Sequence, residues 1–330
     1  MNLNYLPPLI LALVGFVLPA SFAEELGHPT SVVKLDAHDK TIDVSIDGQP
    51  FTTFDYGKYN KPILFPILGP GQIGMTRNWP MVKEIDGESP DHPHHKSMWF
   101  SHHISGVNFW TEKGGAVKTL TVELPGKTFD EKNGFRTTSS WVRKKNGNTI
   151  LSDRTTYRFG KGVESRWIDC EINFMASHGN FVFDDSKEGL FAIRTHPDLR
   201  LKANRRRGVA KVFGTARNSA GETGPSIWGK RAKWVLYQGP IDSTPMSIAM
   251  YDHPNNLRHP TTWHARDYGL VAANPFGWHD FQGTEKGAGA FVVKNKESLT
   301  LRYRVEFIKG IASAEGVERR YGLFCGSGAE

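Results

Sequence analysis

Ser298-Leu299-Thr300-Leu301-Arg302-Tyr303-Arg304-Val305-Glu306-Phe307-Ile308 alternates apolar and polar side chains. A period of two puts Leu299, Leu301, Tyr303, Val305 and Phe307 on one face of a β-strand and Thr300, Arg302, Arg304 and Glu306 on the other. The same pattern recurs upstream. In Thr41–Asp47, Ile42, Val44 and Ile46 oppose Thr41, Asp43, Ser45 and Asp47, and Asp47-Gly48 reads as a turn into residues 51–57. Segments 137–143 and 149–159 flank Lys145-Asn146-Gly147-Asn148, and Asn-Gly between two alternating runs is a strong hairpin signal. Further strands are expected near 62–67, 97–103, 117–124, 164–175, 190–195, 232–238, 245–251, 267–273 and 289–294. The one good helical window is 313–322, where Ser313 is placed to cap the first turn. Many strands, few helices and short connections predict an all-β fold: a large antiparallel β-sandwich with a short C-terminal helix. No repeat or linker splits the chain, so residues 24–330 read as a single domain. Residues 200–230, rich in Arg, Gly and Asn, read as a long loop.

The composition fits that picture. The 330 residues carry 41 Lys+Arg against 34 Asp+Glu, a formal charge of +7, and 38% are hydrophobic. Disorder, collagen and coiled coil are poor readings of such a chain. The densest basic cluster, Arg200, Lys202 and Arg205-Arg206-Arg207, comes with no nucleic-acid motif, so no nucleic-acid partner is expected. Residues 9–18 form an apolar run too short for a bilayer span, which needs roughly 20 residues. With Ser21 and Ala23 at its end, residues 1–23 read as a signal peptide cleaved after Ala23. The mature protein is expected to be periplasmic or secreted and free of the membrane. Cys170 shares a face with Ile168, Ile172 and Phe174 and reads as a small core residue.

Gly69-Pro70-Gly71-Gln72-Ile73-Gly74 matches the dinucleotide fingerprint literally. That fingerprint works only when a helix follows, so that phosphate meets its N-terminus. Met75-Thr76-Arg77-Asn78-Trp79-Pro80 is a poor helix, and the segment reads as a turn-rich loop instead.

Residues 91–103 hold five of the 13 histidines: His92, His94, His95, His102 and His103. Neutral imidazole relays protons or binds metal near pH 7. If 97–103 is a strand, His95, Ser97, Trp99, Ser101 and His103 share a polar face, while Met98, Phe100 and His102 face the core. A bulge at His102-His103 would exchange the two histidines. Downstream, Asn108 and Trp110 offer an amide and an indole, although Trp110 reads equally well as core. Glu188 precedes a strand that contains Arg194, and a carboxylate at a strand mouth is a good general base. Residues 252–269 form a His- and Pro-rich loop in which His264 is the candidate acid or base. Asn274 follows, as a polar ligand contact or as the cap of a tight turn.

Four segments together resemble the PmoA-like family, labelled a methane oxygenase and treated as a domain of unknown function. They are GPGQIGMTRNWP at 69–80, DHPHHKSMWFSHHISGVNFW at 91–110, DDSKEGLFAIR at 184–194 and DHPNNLRHPTTWHARDYGLVAANPFG at 252–277. The resemblance implies a large β-sandwich similar to the galactose mutarotase-like supersandwich, and a sugar-related role. It favours His102 over His103, because the family pattern has His-Gly at these positions. It does not imply methane oxidation, since the true oxygenase subunit spans the membrane many times.

Three functions compete. The first is a carbohydrate-active enzyme: a mutarotase-, hydrolase- or lyase-like catalyst of a sugar or glycan. His95 or His102 would be its acid and Glu188 or His264 its base. Trp99 and Trp110 would stack on the sugar, with Arg77, His103, Asn108, Arg194 and Asn274 as further contacts. The second is a metalloenzyme holding a divalent metal through His94, His95 and His102; the cofactor is otherwise none. The third is a non-catalytic sugar-binding module that depends on the tryptophans.

Overall fold

The strand Ser298–Lys309 lies inside an eight-stranded antiparallel sheet, between Thr244–Asp252 and Ser165–Met175. The protein is described here by a computed structural model covering residues 31–83, 85, 87–126, 129–205 and 211–326. Outward on one side of this sheet follow Trp234–Ile241 and Thr215–Asn218. On the other follow Thr149–Lys161, Gly134–Arg143 and Gly115–Glu123. A second eight-stranded sheet runs Val33–Ala37, Thr41–Ile46, Gln49–Asp55, Ile63–Ile67, Met98–Phe100, Phe191–Arg194, Leu270–Ala273, Trp263–Ala265. The two sheets face each other across one core. Phe191 of the second sheet stacks on Tyr303 of the first at 4.8 Å, and Phe54 meets Phe135 at 5.0 Å. This is the large antiparallel sandwich that the alternation predicts. A small sheet of Phe291–Val293, Phe181–Phe183, His103–Ile104 and Val107–Asn108 sits beside it.

Local signals are met closely where they are chemical. Asp47 and Gly48 both take positive φ, 50° and 76°, as a two-residue hairpin turn requires. The Asn146-Gly147 hairpin joins two long strands, with Gly147 at φ 75°. Ser313 caps the helix Ala314–Phe324, its Oγ accepting from the Gly316 N–H at 3.0 Å. Cys170 is buried in the core, and neither cysteine is bridged. The glycine-rich 69–74 segment holds one 3-10 turn, Pro70–Gln72, with Gly71 at φ 72° and no α-helix behind it. The long loop at 200–230 carries a short strand, Thr215–Asn218, not anticipated from its composition.

One expectation needs correction. The 97–103 segment is not one strand. It pairs only at Met98–Phe100, then re-enters pairing at His103–Ile104 in the small sheet. The polar face of 298–308 is covered in part. The C-terminal helix lays Val317 and Tyr321 over Trp234, Leu236, Tyr251 and Ile308 on that side of the sheet. Arg304 and Glu306 are buried beneath it, Arg304 on Asp169 and Glu306 between the Tyr251 hydroxyl (2.9 Å) and Arg320 (2.6 Å). Charges are tolerated there because each has a charged or hydrogen-bonding partner.

The expected signal segment, residues 1–23, lies outside the described residues. Among the described residues, no helix is long and apolar enough to cross a membrane.

Candidate functional site

The site is built on the outer face of the second sheet. Antiparallel register sets Trp99, Ala192, Ala272 and His264 in one row across four strands. Their neighbours along each strand, Met98, Phe100, Phe191, Ile193, Val271 and Ala273, point into the core. The two alanines keep the row low, and the 91–96 and 184–190 segments settle over it.

The lower layer is a rigid foundation. Tyr268, His92, His95 and Trp99 form a near-parallel stack, with successive ring centroids 5.1, 4.7 and 5.4 Å apart. Lys61 closes its far end, its ammonium 5.0 Å from the Trp99 ring. Lys61 donates to the carbonyls of His94 (2.8 Å) and Trp110 (3.2 Å) and pairs with Glu112 at 3.0 Å. Burial pulls its ammonium down to about 7, against the opposing charge of Glu112. Asp91 receives Arg77 at 2.5 Å and Arg194 at 3.3 Å. Burial works against its charge. The hydrogen bond from His92 and the Arg194 and Arg77 guanidiniums prevail and hold it well below the carboxylate range. Arg77 also donates to the carbonyls of His92 and His95, and Arg194 to His95 Nδ1 at 3.2 Å.

Several expected contacts therefore belong to the foundation. Arg77 and Arg194 are buried and held by Asp91, Arg77 also by the carbonyls of His92 and His95 and Arg194 by His95 Nδ1, so neither guanidinium opens to a substrate. Trp99 and Trp110 are 2% and 1% exposed, so neither offers a face to a sugar. His95 is buried with Nδ1 accepting from Arg194 and with His92 and Trp99 stacked on its ring; burial and the Arg194 charge drive its pKa well down, so it stays neutral within the foundation.

His102 is corrected more sharply. It is fully buried against Phe183 and Phe276, and its Nε2 bonds the Asp184 carbonyl at 2.8 Å. Burial pulls it down to about 3. It is a structural histidine. Asn108 accepts from the Thr111 N–H within its own turn. Asn274 is buried, donating to the Ser186 carbonyl and accepting from the Phe276 N–H. Nor do His94, His95 and His102 form a ligand set. Among the described residues, no three His, Cys, Asp or Glu side chains converge as a metal would require.

In the upper layer Glu188, His103 and His94 remain partly open, while His264 is buried. Glu188 accepts from or shares a proton with His103, Nε2 to Oε2 3.2 Å. Both are partly exposed. The hydrogen bond to His103 outweighs burial and keeps Glu188 below its usual value of 4.5, so it is ionised at neutral pH. His94 and His264 flank it within electrostatic reach. Burial, helped by Lys61, pulls His94 down to about 4. Burial, helped by Arg266, does the same to His264. Both are neutral imidazoles at pH 7.

Glu188 is held by an unusually complete set of bonds around it. Asp184 donates its N–H to the His103 carbonyl and accepts from the Gly106 N–H. Asp185 accepts from the N–H groups of His279, Gly287 and Gly289. The Ser186 carbonyl is held by Asn274, and Lys187 is bonded to Asp280 through backbone and side chain. Gly189 leaves no room for a Cβ, which would fall 1.8 Å from His102 Nδ1. A carboxylate fixed by its neighbours is prepared for chemistry without reorganisation.

Sequence reasoning brought Glu188, His264 and the choice of segments, but it missed Asp91, Lys61, Glu112, Tyr268 and Arg266. Arg266 and Tyr268 lie in the same HARDYG stretch as His264; Lys61 carries no local signal at all.

Fold and site define an antiparallel β-sandwich with a carboxylate–imidazole cluster on the outer face of one sheet. The chain belongs to DUF6807, a family of unknown function whose model matches residues 41–322. No curated protein matches it. Among solved structures it is similar to the alpha-galactosidase from Lactobacillus brevis at 9% identity, covering 91% of this chain and 42% of that one, TM-score 0.43. A glycoside hydrolase family 97 enzyme from Pseudoalteromonas sp. strain K8, in complex with panose, matches at 11% identity over 84% of this chain and 34% of that one, TM-score 0.30. The Slr1438 protein from Synechocystis sp. PCC 6803 matches at 11% identity over 84% and 93%, TM-score 0.32. The chain spans less than half the length of the first two.

Proposed function

We propose that this protein is a carbohydrate-active enzyme in which Glu188 is the general base and His103 and His264 handle the proton. The observation that carries the reading is the Glu188–His103 pair: partly open to solvent, flanked by two neutral imidazoles, on a segment bonded at every neighbouring residue. Isomerisation, hydrolysis and β-elimination of a sugar all need one group to take a proton while another supplies one across the ring. Glu188 is the ionised acceptor. His103 shares its hydrogen bond, and His264 lies within electrostatic reach of it. The segments that resemble the PmoA-like family supply every one of these residues, and the reading takes from that resemblance its sugar-related role rather than an oxygenase chemistry. A purely binding module is disfavoured because the tryptophans it would use, Trp99 and Trp110, are buried.

The test is turnover of mono- and oligosaccharides, followed by NMR, in the native protein and in Glu188→Gln and His264→Ala. Loss of at least about a hundredfold in Glu188→Gln with an unchanged melting temperature is expected. Unchanged turnover in that variant would overturn the assignment.

A further inference from the structure

We propose that Arg266 binds an anionic group on the sugar, so that the substrate is an acidic carbohydrate carrying a carboxylate. The inference rests on the reading of the site given above and names its substrate class. Three arginines beneath the site are consumed by the protein: Arg77 and Arg194 by Asp91, and Arg258 by the carbonyls of Pro275, Gly289 and Ala290. Arg266 is different. Among the described residues its guanidinium has no hydrogen bond and no carboxylate partner. Two aromatic faces hold it instead, Tyr268 at 5.6 Å and Trp228 at 6.0 Å. Cation–π contacts at these distances leave its N–H fork open.

Its position is that of the site. Trp263 and Ala265 face the core, so His264 and, just past the strand end, Arg266 leave on the outer side. His264 feels the charges of both Arg266 and Glu188, one lowering and one raising its pKa. Phe281 joins them, 6.0 Å from the His264 ring and 5.4 Å from Trp228. A cation and an anion thus both lie within electrostatic reach of His264. A sugar carboxylate seated bidentately on Arg266 would be kept from the repulsion of Glu188 and would turn the ring toward it. A neutral sugar would leave this guanidinium without a partner.

The experiment measures binding by calorimetry of D-glucuronate, D-galacturonate, D-glucose, D-galactose and glucose 6-sulfate to the native protein, Arg266→Gln and Arg266→Lys. The uronates should bind at least about tenfold more tightly than their neutral counterparts. Arg266→Gln should erase the preference, and Arg266→Lys should retain part of it with the fold intact. Equal binding of acid and neutral sugars, or a preference that survives in Arg266→Gln, would overturn the proposal. So would a preference confined to the sulfate, which would assign the site to sulfated rather than carboxylated sugars. Failure of the enzyme reading is separate, since it shows as turnover that survives Glu188→Gln whatever the sugar charge.

Discussion

His103 Nε2 and Glu188 Oε2, 85 residues apart in the chain, meet at 3.2 Å on the outer face of the second sheet. Asp184 makes the meeting possible: its N–H bonds the His103 carbonyl, and its own carbonyl takes the His102 ring. One histidine of the pair is used to fasten the segment and the other to reach the carboxylate.

The first prediction concerns that contact. The hydrogen bond to His103 is the leading cause of the low Glu188 pKa. Activity that needs ionised Glu188 should therefore persist in acid to below pH 4.5. Replacing His103 with Phe removes the donor, so the acid limb of the kcat/KM profile should move upward in pH. A profile that does not move would show that the pair is not the working base.

The second concerns the foundation. Arg194→Met leaves Asp91 with Arg77 and His92 and strips His95 of its donor. Removing one partner of a buried pair costs about 3–5 kcal/mol, and because Asp91 is partly open to water about 2 kcal/mol is expected here. The folded pKa of Asp91 is depressed, so its stabilisation is present above the unfolded value of 3.8 and lost as pH falls below it. Urea melts at pH 7 and pH 3 should differ less in the variant than in the parent.

The third concerns Gly189. A Cβ there would meet the ring of His102, which Phe183 and Phe276 hold in place. Gly189→Ala should lower the melting temperature and abolish turnover together, because the ring cannot yield and the Glu188 segment must. Retained activity at full stability would show that the segment has slack.

The fourth lies in the core. Asp153 is fully buried between Trp141 Nε1 (2.8 Å) and the Thr155 hydroxyl (2.7 Å). Burial raises its pKa to about 7, against those two hydrogen bonds. The folded state then holds a proton that the unfolded state releases above 3.8. Its contribution to stability is fully present below the unfolded pKa and declines toward pH 7, by at most about 1.4 kcal/mol per pH unit. Asp153→Asn should flatten that decline in denaturant melts; an unchanged slope would place its origin elsewhere.

Much of the sandwich was legible in the chain. Alternation in Thr41–Ile46 and Ser298–Lys309, the turn residues Asp47-Gly48 and Asn146-Gly147, and the Ser313 cap all act within a few residues, where sequence neighbours are spatial neighbours. The site was legible only by segment. Parity correctly separates Trp99 from Met98 and Phe100, but it treats 97–103 as one strand, and the family pattern then favours His102. The chain instead leaves the second sheet after Phe100 and joins the small one at His103.

What the sequence by itself determined is the architecture: period-two burial, turns, one capped helix, and the segments rich in proton-carrying side chains. What only the tertiary structure decided is the role of each such side chain. Arg77 and Arg194 were drawn down by Asp91, Trp99 and His95 by a ring stack, and His102 by the Asp184 carbonyl. Glu188 and His103 were left partly open, with Arg266 half-buried and His264 buried on the same outer face of the sheet. The reason is physical. A strand's pattern follows from the geometry of its own backbone. Whether a histidine or arginine is a strut or a working group depends on which partners reach it from residues far away in the chain, and on how much water they leave beside it.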